Sequence, residues 1–247
     1  MKKKHIVSSL FMGILLSLCA CGAFSIDNKE ENLQKAAEER AAGESETGVK
    51  AFTDDPRAIE VVAGSVVKVE VYGDHDQKIG TGSGFCAFDP AVLVTAAHVI
   101  VNMDHAIVTC DNGEAFRVEK AVDGEKESDV AIFQLPEEVK LSPLPVSINA
   151  PLRGEKIVAI GSQFSVLNLV TLGNMAGTWN SKEIDWLLFT APVSAGSSGG
   201  PILNDRGEVI GIISSTYDKG QNLNLASPIS EAKEIYDLIY KEGELEK

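Results

Sequence analysis

The chain has 247 residues, 44% of them apolar and 6% aromatic, enough to fill one or two small cores. Lys and Arg number 22 against 36 Asp and Glu, a formal net charge of −14. That excess argues against nucleic acid or an anionic lipid surface as an electrostatic partner, and against steering of acidic substrates.

The chain opens on a basic stretch, Lys2 to Lys4, followed by a mostly apolar run from Ile6 to Leu18. At about 13 residues this run is short of the ~20 that cross a bilayer as a helix. It ends in Leu18-Cys19-Ala20-Cys21, which resembles a bacterial lipobox. The resemblance implies a signal peptide over residues 1–20 and lipidation of Cys21, placing the protein in the cell envelope, anchored to a membrane; an ordinary secretory peptide is the alternative. Without residues 1–20 the balance is 19 basic against 36 acidic residues, a net of −17. Residues 21–56 are poor in large apolar side chains and are expected to form a disordered tether. The folded part is expected over 57–247. Cys86 and Cys110 remain there, and a disulfide or two small buried hydrophobes are both open.

Short β-rich runs follow, separated by Gly, Asp, Asn and Pro turns. Strands are expected over 61–72, 84–88, 92–95, 106–110, 115–122 and 129–134. After a Pro- and Leu-rich connector a second series is expected over 156–161, 167–177, 186–190, 201–203, 209–214 and 223–226. Two such series predict an all-β fold of two six-stranded antiparallel Greek-key barrels, about 57–140 and 145–230. Ser230 can cap a final helix over 230–243, with Ile235, Leu238 and Ile239 on one face. Gly80-Thr-Gly-Ser-Gly84 leads into a strand, so it reads as a flexible turn and not a nucleotide loop. No zinc-type Cys/His spacing appears, and no metal or cofactor is implied.

Three segments carry chemistry together: Leu93-Val94-Thr95-Ala96-Ala97-His98, Ser128-Asp129-Val130-Ala131 and Gly196-Ser197-Ser198-Gly199-Gly200-Pro201. They supply an imidazole, a carboxylate and a hydroxyl, each at the edge of an apolar strand-like run. With Gly82-Ser-Gly-Phe85, Ile157–Gly161 and Gly207–Ile212, they make the chain resemble trypsin-like serine peptidases of the chymotrypsin fold, and among them the HtrA/Deg type. The resemblance spans roughly residues 60–230.

It implies Ser198 as nucleophile, His98 as the base that takes its proton, and Asp129 as the carboxylate that orients His98. A serine hydroxyl is a poor nucleophile at neutral pH, and an imidazole with an ordinary pKa near ~6.5 can both take and return a proton. The family pattern places the oxyanion hole at Gly196, Ser197 and Ser198, with the N–H groups of Gly196 and Ser198 as donors. Ser214 aligns with a residue that hydrogen-bonds the carboxylate. In this fold the specificity pocket is lined by the segments 190–195, 213–216 and 223–227. Here they contain Thr190, Pro192, Ile213, Ser215, Leu225 and Ala226 and no charge, which predicts a loose preference for small or medium aliphatic side chains.

Two departures from the family carry weight. Digestive members place an aspartate before the nucleophile for zymogen activation, where this chain has Ser197. HtrA/Deg members usually carry PDZ domains, whereas only 17 residues follow Ser230, so none is expected in this chain. The resemblance thus implies a membrane-tethered serine endopeptidase acting on extended or unfolded protein segments. The competing expectation is a catalytically silent lipoprotein of the same fold that binds a specific partner. Neither expectation fixes the oligomeric state.

Overall fold

The protein is described by a computed structural model covering residues 50–119, 121–125, 127–164, 166–181, 184–216 and 222–240. The expected signal peptide, Cys21 and most of the expected tether lie outside these residues. Residues 50–56, counted with the tether above, belong to the folded unit instead: Phe52 N–H donates to Asp205 O at 2.8 Å, and Thr53 is buried. Among the described residues, no helix is long and apolar enough to cross a membrane.

The first regular element is a helix, α1 (Pro56–Ala63). Asp55 caps it by accepting from Arg57 N–H at 3.0 Å, and proline occupies the first turn, where its missing N–H costs nothing. Residues 61–63 are therefore helical and not the start of the expected strand. The apolar run Val61-Val62-Ala63 conceals the boundary: Ile59 and Ala63, one turn apart, are buried and Val62 packs beside them, while Val61 is exposed.

Seven strands follow: β1 (Val66–Tyr72), β2 (Lys78–Cys86), β3 (Val92–Thr95), β4 (His105–Thr109), β5 (Ala115–Val118), β6 (Ala121–Glu125) and β7 (Val130–Gln134). They pair antiparallel in the order β5-β4-β1-β2-β3-β7-β6. The expected strand 115–122 is divided because β5 pairs with β4 and β6 with β7, at opposite edges. Only residues 119–120 join those edges, so the sheet has to curl until they approach, giving a half-closed barrel. The Gly80–Gly84 segment lies inside β2 and is not a turn.

Six more strands close the second barrel: β8 (Lys156–Gly161), β9 (Leu169–Ser181), β10 (Ile184–Phe189), β11 (Pro201–Leu203), β12 (Val209–Thr216) and β13 (Asn224–Pro228). Their order is β10-β13-β12-β11-β8-β9. The final helix, α2 (Ile229–Tyr240), starts directly after Pro228, so Ser230 lies in its first turn and not at its cap. Ile229, Ala232 and Ile235 face the core. Leu238 is 58% exposed, contrary to the expected apolar face.

Three apolar clusters hold the molecule. Val67, Val69, Val71, Leu93 and Phe133 fill the first barrel, and Ile157, Met175, Leu187, Phe189 and Ile213 fill the second. The third lies between them, joining Val66, Phe85, Val94, Val130 and Ile132 to Val158, Ile160, Leu203 and Ile212, with α1 and α2 against it. Strands that serve both a barrel core and this interface are buried on two faces, hence the unbroken apolar runs Val130–Phe133 and Ile157–Ile160. Cys86 and Cys110 are free thiols, the first buried and the second half-buried. Burial pushes the Cys86 thiol up to about 12, so it is an inert packing group.

Candidate active site

The three chemistry-bearing segments leave the strand ends at the seam between the barrels. His98 sits in a 3₁₀ turn (Ala97–Ile100) just after β3. Asp129 immediately precedes β7 and has φ +54°, a left-handed conformation that aspartate tolerates better than most residues. The Ser227 hydroxyl of β13 donates to the carbonyl of the adjacent Ser128, so the second barrel anchors the turn that presents Asp129. Ser198 lies in the tight turn leading to β11.

Asp129 organises the first half of the site. Its Oδ1 accepts from the backbone N–H of His98 at 2.8 Å, and its Oδ2 lies 2.8 Å from His98 Nδ1. A carboxylate only accepts, so Nδ1 carries the proton and Nε2 is left with a lone pair. Ala97 N–H also donates to the Asp129 carbonyl, at 3.1 Å. The His98 pKa is raised, chiefly by the hydrogen bond to Asp129, against an opposing effect of burial. Burial on its own would raise Asp129; the bonds from His98 and Ser214 outweigh it and leave the carboxyl below its ordinary value.

Ser214 links this half to the other. The β12–β13 register passes from Ile213↔Ala226 to Ser215↔Leu225, leaving Ser214 as an extra residue in a bulge. A bulge re-aims the side chain it carries. Ser214 Oγ donates to Asp129 Oδ2 at 2.5 Å, while its carbonyl accepts from Ser198 Oγ at 3.1 Å. Among the described residues Ser198 makes no hydrogen bond to His98, so its hydroxyl is parked on Ser214.

The turn around Ser198 is held by its own backbone. Ser197 is buried; its N–H donates to Ser194 O at 2.9 Å and its Oγ accepts from Ser194 N–H at 3.2 Å. Gly199 N–H donates to Ile213 O and Gly200 N–H to Ser197 O, at 2.7 and 2.9 Å. The N–H groups of Gly196 and Ser198 donate to no protein acceptor among the described residues, which leaves them available to an incoming oxygen. Gly196 has φ +100°, and a Cβ there would lie 2.2 Å from Ser162 O, so only glycine fits.

The expected pocket residues separate. Ile213 and Ala226 are buried side chains in the second barrel's core cluster. Thr190 is committed to β9: its Oγ1 accepts from Asn174 N–H at 2.9 Å. Pro192 and Ser215 are exposed and Leu225 is buried. Two residues escaped the sequence reading. Asn224 is buried and its Nδ2 donates to Ala191 O at 2.8 Å, tying β13 to the segment before the Ser198 turn. Ser83, inside the glycine-rich stretch of β2, contacts the Ser198 turn directly.

Residues 82–212 match the family model described as a trypsin-like peptidase domain. The chain is 35% identical over 191 residues to Serine protease HTRA1A of Danio rerio, covering 72% of this chain and 39% of that protein. It is 31% identical over 176 residues to the Putative serine protease HhoA of Synechocystis, covering 66% of this chain and 44% of that protein. The chain thus spans about two fifths of the length of the curated relatives it matches. Among solved structures it resembles the serine endoprotease from Yersinia pestis, with 26% identity, a TM-score of 0.65, and 75% of this chain and 66% of that one covered.

Proposed function

From the premise that the chain belongs to the trypsin-like peptidase domain family, with HtrA serine proteases among its relatives, we propose that it is a serine endopeptidase in which Ser198, His98 and Asp129 perform acyl transfer. The observation that carries this reading is the Asp129 carboxylate, which takes hydrogen bonds from His98 Nδ1 and Ser214 Oγ while Ser214 O holds the Ser198 hydroxyl.

The reaction begins when a rotation about the Ser198 Cα–Cβ bond moves Oγ from Ser214 O to His98 Nε2. Oγ attacks the substrate carbonyl carbon and its proton passes to Nε2. Asp129 stabilises the imidazolium and keeps its tautomer. The carbonyl oxygen, now negative, is met by the N–H groups of Gly196 and Ser198, donors of a kind typically worth ~2.7–4 kcal/mol each to the transition state. His98 then protonates the leaving amine, the C–N bond breaks and an acyl-enzyme remains; water, deprotonated by His98, hydrolyses the ester. The raised His98 pKa keeps the imidazole basic enough for this work.

Extended or unfolded protein segments are the proposed substrates, with small or medium aliphatic side chains before the scissile bond, since the flanking segments carry no charge to pair with Lys or Arg. Attachment to a membrane through a lipid on Cys21, within the cell envelope, belongs to the same proposal and rests on the Leu18–Cys21 pattern. A fluorophosphonate probe should label the wild-type protein and not Ser198→Ala; labelling of neither, with both folded, contradicts the enzyme reading. Cys21→Ser should release the protein from membranes, and its retention there contradicts lipid anchoring.

A further inference from the structure

The glycine-rich stretch of β2 has a role that neither a flexible turn nor a plain strand explains. Ser83 within it is fully buried, opposite Lys68 of β1, and uses every polar group it has. Its carbonyl accepts from Thr95 Oγ1 at 2.7 Å. Its N–H donates to the carbonyl of Ser198 at 2.7 Å. Its hydroxyl donates to the carbonyl of Gly196 at 2.7 Å and accepts from the N–H of Ser162 at 2.8 Å.

From these bonds we infer that Ser83 is a positioning residue for the oxyanion hole. The inference rests on the peptidase reading above, because it assigns the Gly196 and Ser198 N–H groups to a developing oxyanion. Ser83 grips the carbonyls of the two residues that supply those donors, that of Gly196 with its side chain and that of Ser198 with its backbone. Gly196 needs the grip most. With no Cβ its peptide planes turn at little cost, and at φ +100° it stays in place only while its neighbours are held. Thr95, three residues before His98, clamps Ser83 from the opposite side. One residue of the first barrel thus sets the donors of the second barrel against the base of the first.

The hydroxyl cannot be replaced by packing. Without it, the Ser162 N–H and the Gly196 carbonyl are both left unpartnered in a buried place, an arrangement that proteins avoid. They relieve it by approaching each other, which swings the Gly196 carbonyl toward Ser162 and, through rotation about the Gly196 Cα, draws that residue's own N–H off the oxyanion position. The loss falls on the transition state, where the oxyanion exists, and not on ground-state binding.

Fluorophosphonate labelling separates these two contributions. Ser198 Oγ bonds to phosphorus, fluoride leaves, the proton goes to His98, and the phosphoryl oxygen takes the place of the oxyanion. The dependence of the full chain's labelling rate on probe concentration, followed to saturation, resolves a binding constant KI and a maximal rate kinact. Ser83→Ala and the near-isosteric, weakly hydrogen-bonding Ser83→Cys are compared with wild type, with circular dichroism as the test of folding. If Ser83→Ala does not fold, Ser83→Cys carries the test. The expected result is a fall of about 10- to 100-fold in kinact with KI within about threefold, smaller than the 10²–10³ that loss of a donor itself produces. An unchanged kinact in a folded variant, or a loss confined to KI, overturns the assignment and leaves the peptidase reading standing. Absence of labelling in the wild type overturns the peptidase reading and this inference with it.

Discussion

The hydroxyl of Ser198 lies 3.1 Å from the carbonyl oxygen of Ser214, in the same residue whose side chain donates to Asp129. A single bulged residue therefore holds the proposed nucleophile at rest and supports the carboxylate behind the proposed base. Ser214→Ala keeps the carbonyl and removes only the hydroxyl. The expected fall in kcat/KM is about 10- to 100-fold, matching the ~1.5–3 kcal/mol of a hydrogen bond to a charged group. Wild-type kinetics in this variant would remove the side chain from the catalytic arrangement.

The pH dependence follows from the Asp129–His98 pair. In the proposed mechanism neutral His98 is the base, so the rate should climb as pH rises through the His98 pKa, and the acid limb should have its midpoint above the ordinary ~6.5. Asp129→Asn should move that midpoint down and lower kcat by about 10⁴. Stability obeys the same linkage. The raised His98 contributes stability below its unfolded pKa and loses it as pH rises through the folded one. The lowered Asp129 contributes above its unfolded pKa and loses it as pH falls through the folded one. The pair should therefore stabilise most between about pH 4 and 6.5. His98 is 48% exposed, so solvent screening keeps the effect small. Urea midpoints of wild type and Asp129→Asn across pH check the sign.

Gly199 tests the packing beneath the nucleophile. Its φ is +86°, and an added Cβ would stand 2.2 Å from both Ser83 O and Thr95 Oγ1. Gly199→Ala should destabilise the domain by more than about 3 kcal/mol, combining left-handed strain with backbone displacement. A urea midpoint close to wild type would show that the turn is looser than these contacts require.

Asp55→Ala probes the start of the folded unit. Removal of the cap on α1 should cost about 1 kcal/mol in chemical denaturation without altering labelling of Ser198. No change in stability would mean that α1 adds little to the cluster between the barrels.

The sequence made the strands legible where punctuation was strong. Val92–Thr95, Lys156–Gly161 and Pro201–Leu203 appear with the expected bounds, because turn residues flank apolar runs. It misled where apolar residues ran on without a break. Val61–Ala63 merged with β1, and only the Asp55-Pro56 cap signal marks the helix. Within the expected specificity segments, which side chains turn inward depends on the β12 bulge and on barrel closure. Ile213 and Ala226 consequently proved to be core. Ser83 was the least legible of all. Its decisive partners, Ser162 and Gly196, are 79 and 113 residues away, and only the packing of two barrels brings them together.

The most direct test of the central claim is cleavage of a reduced, alkylated and therefore unfolded protein, with new chain ends identified by mass spectrometry. Wild type should generate new termini, most of them after Val, Ala, Ile or Leu, and Ser198→Ala should generate none. The same fragments from Ser198→Ala, or no fragments from a folded wild type that also fails to label, would contradict the assignment of Ser198 as a peptidase nucleophile.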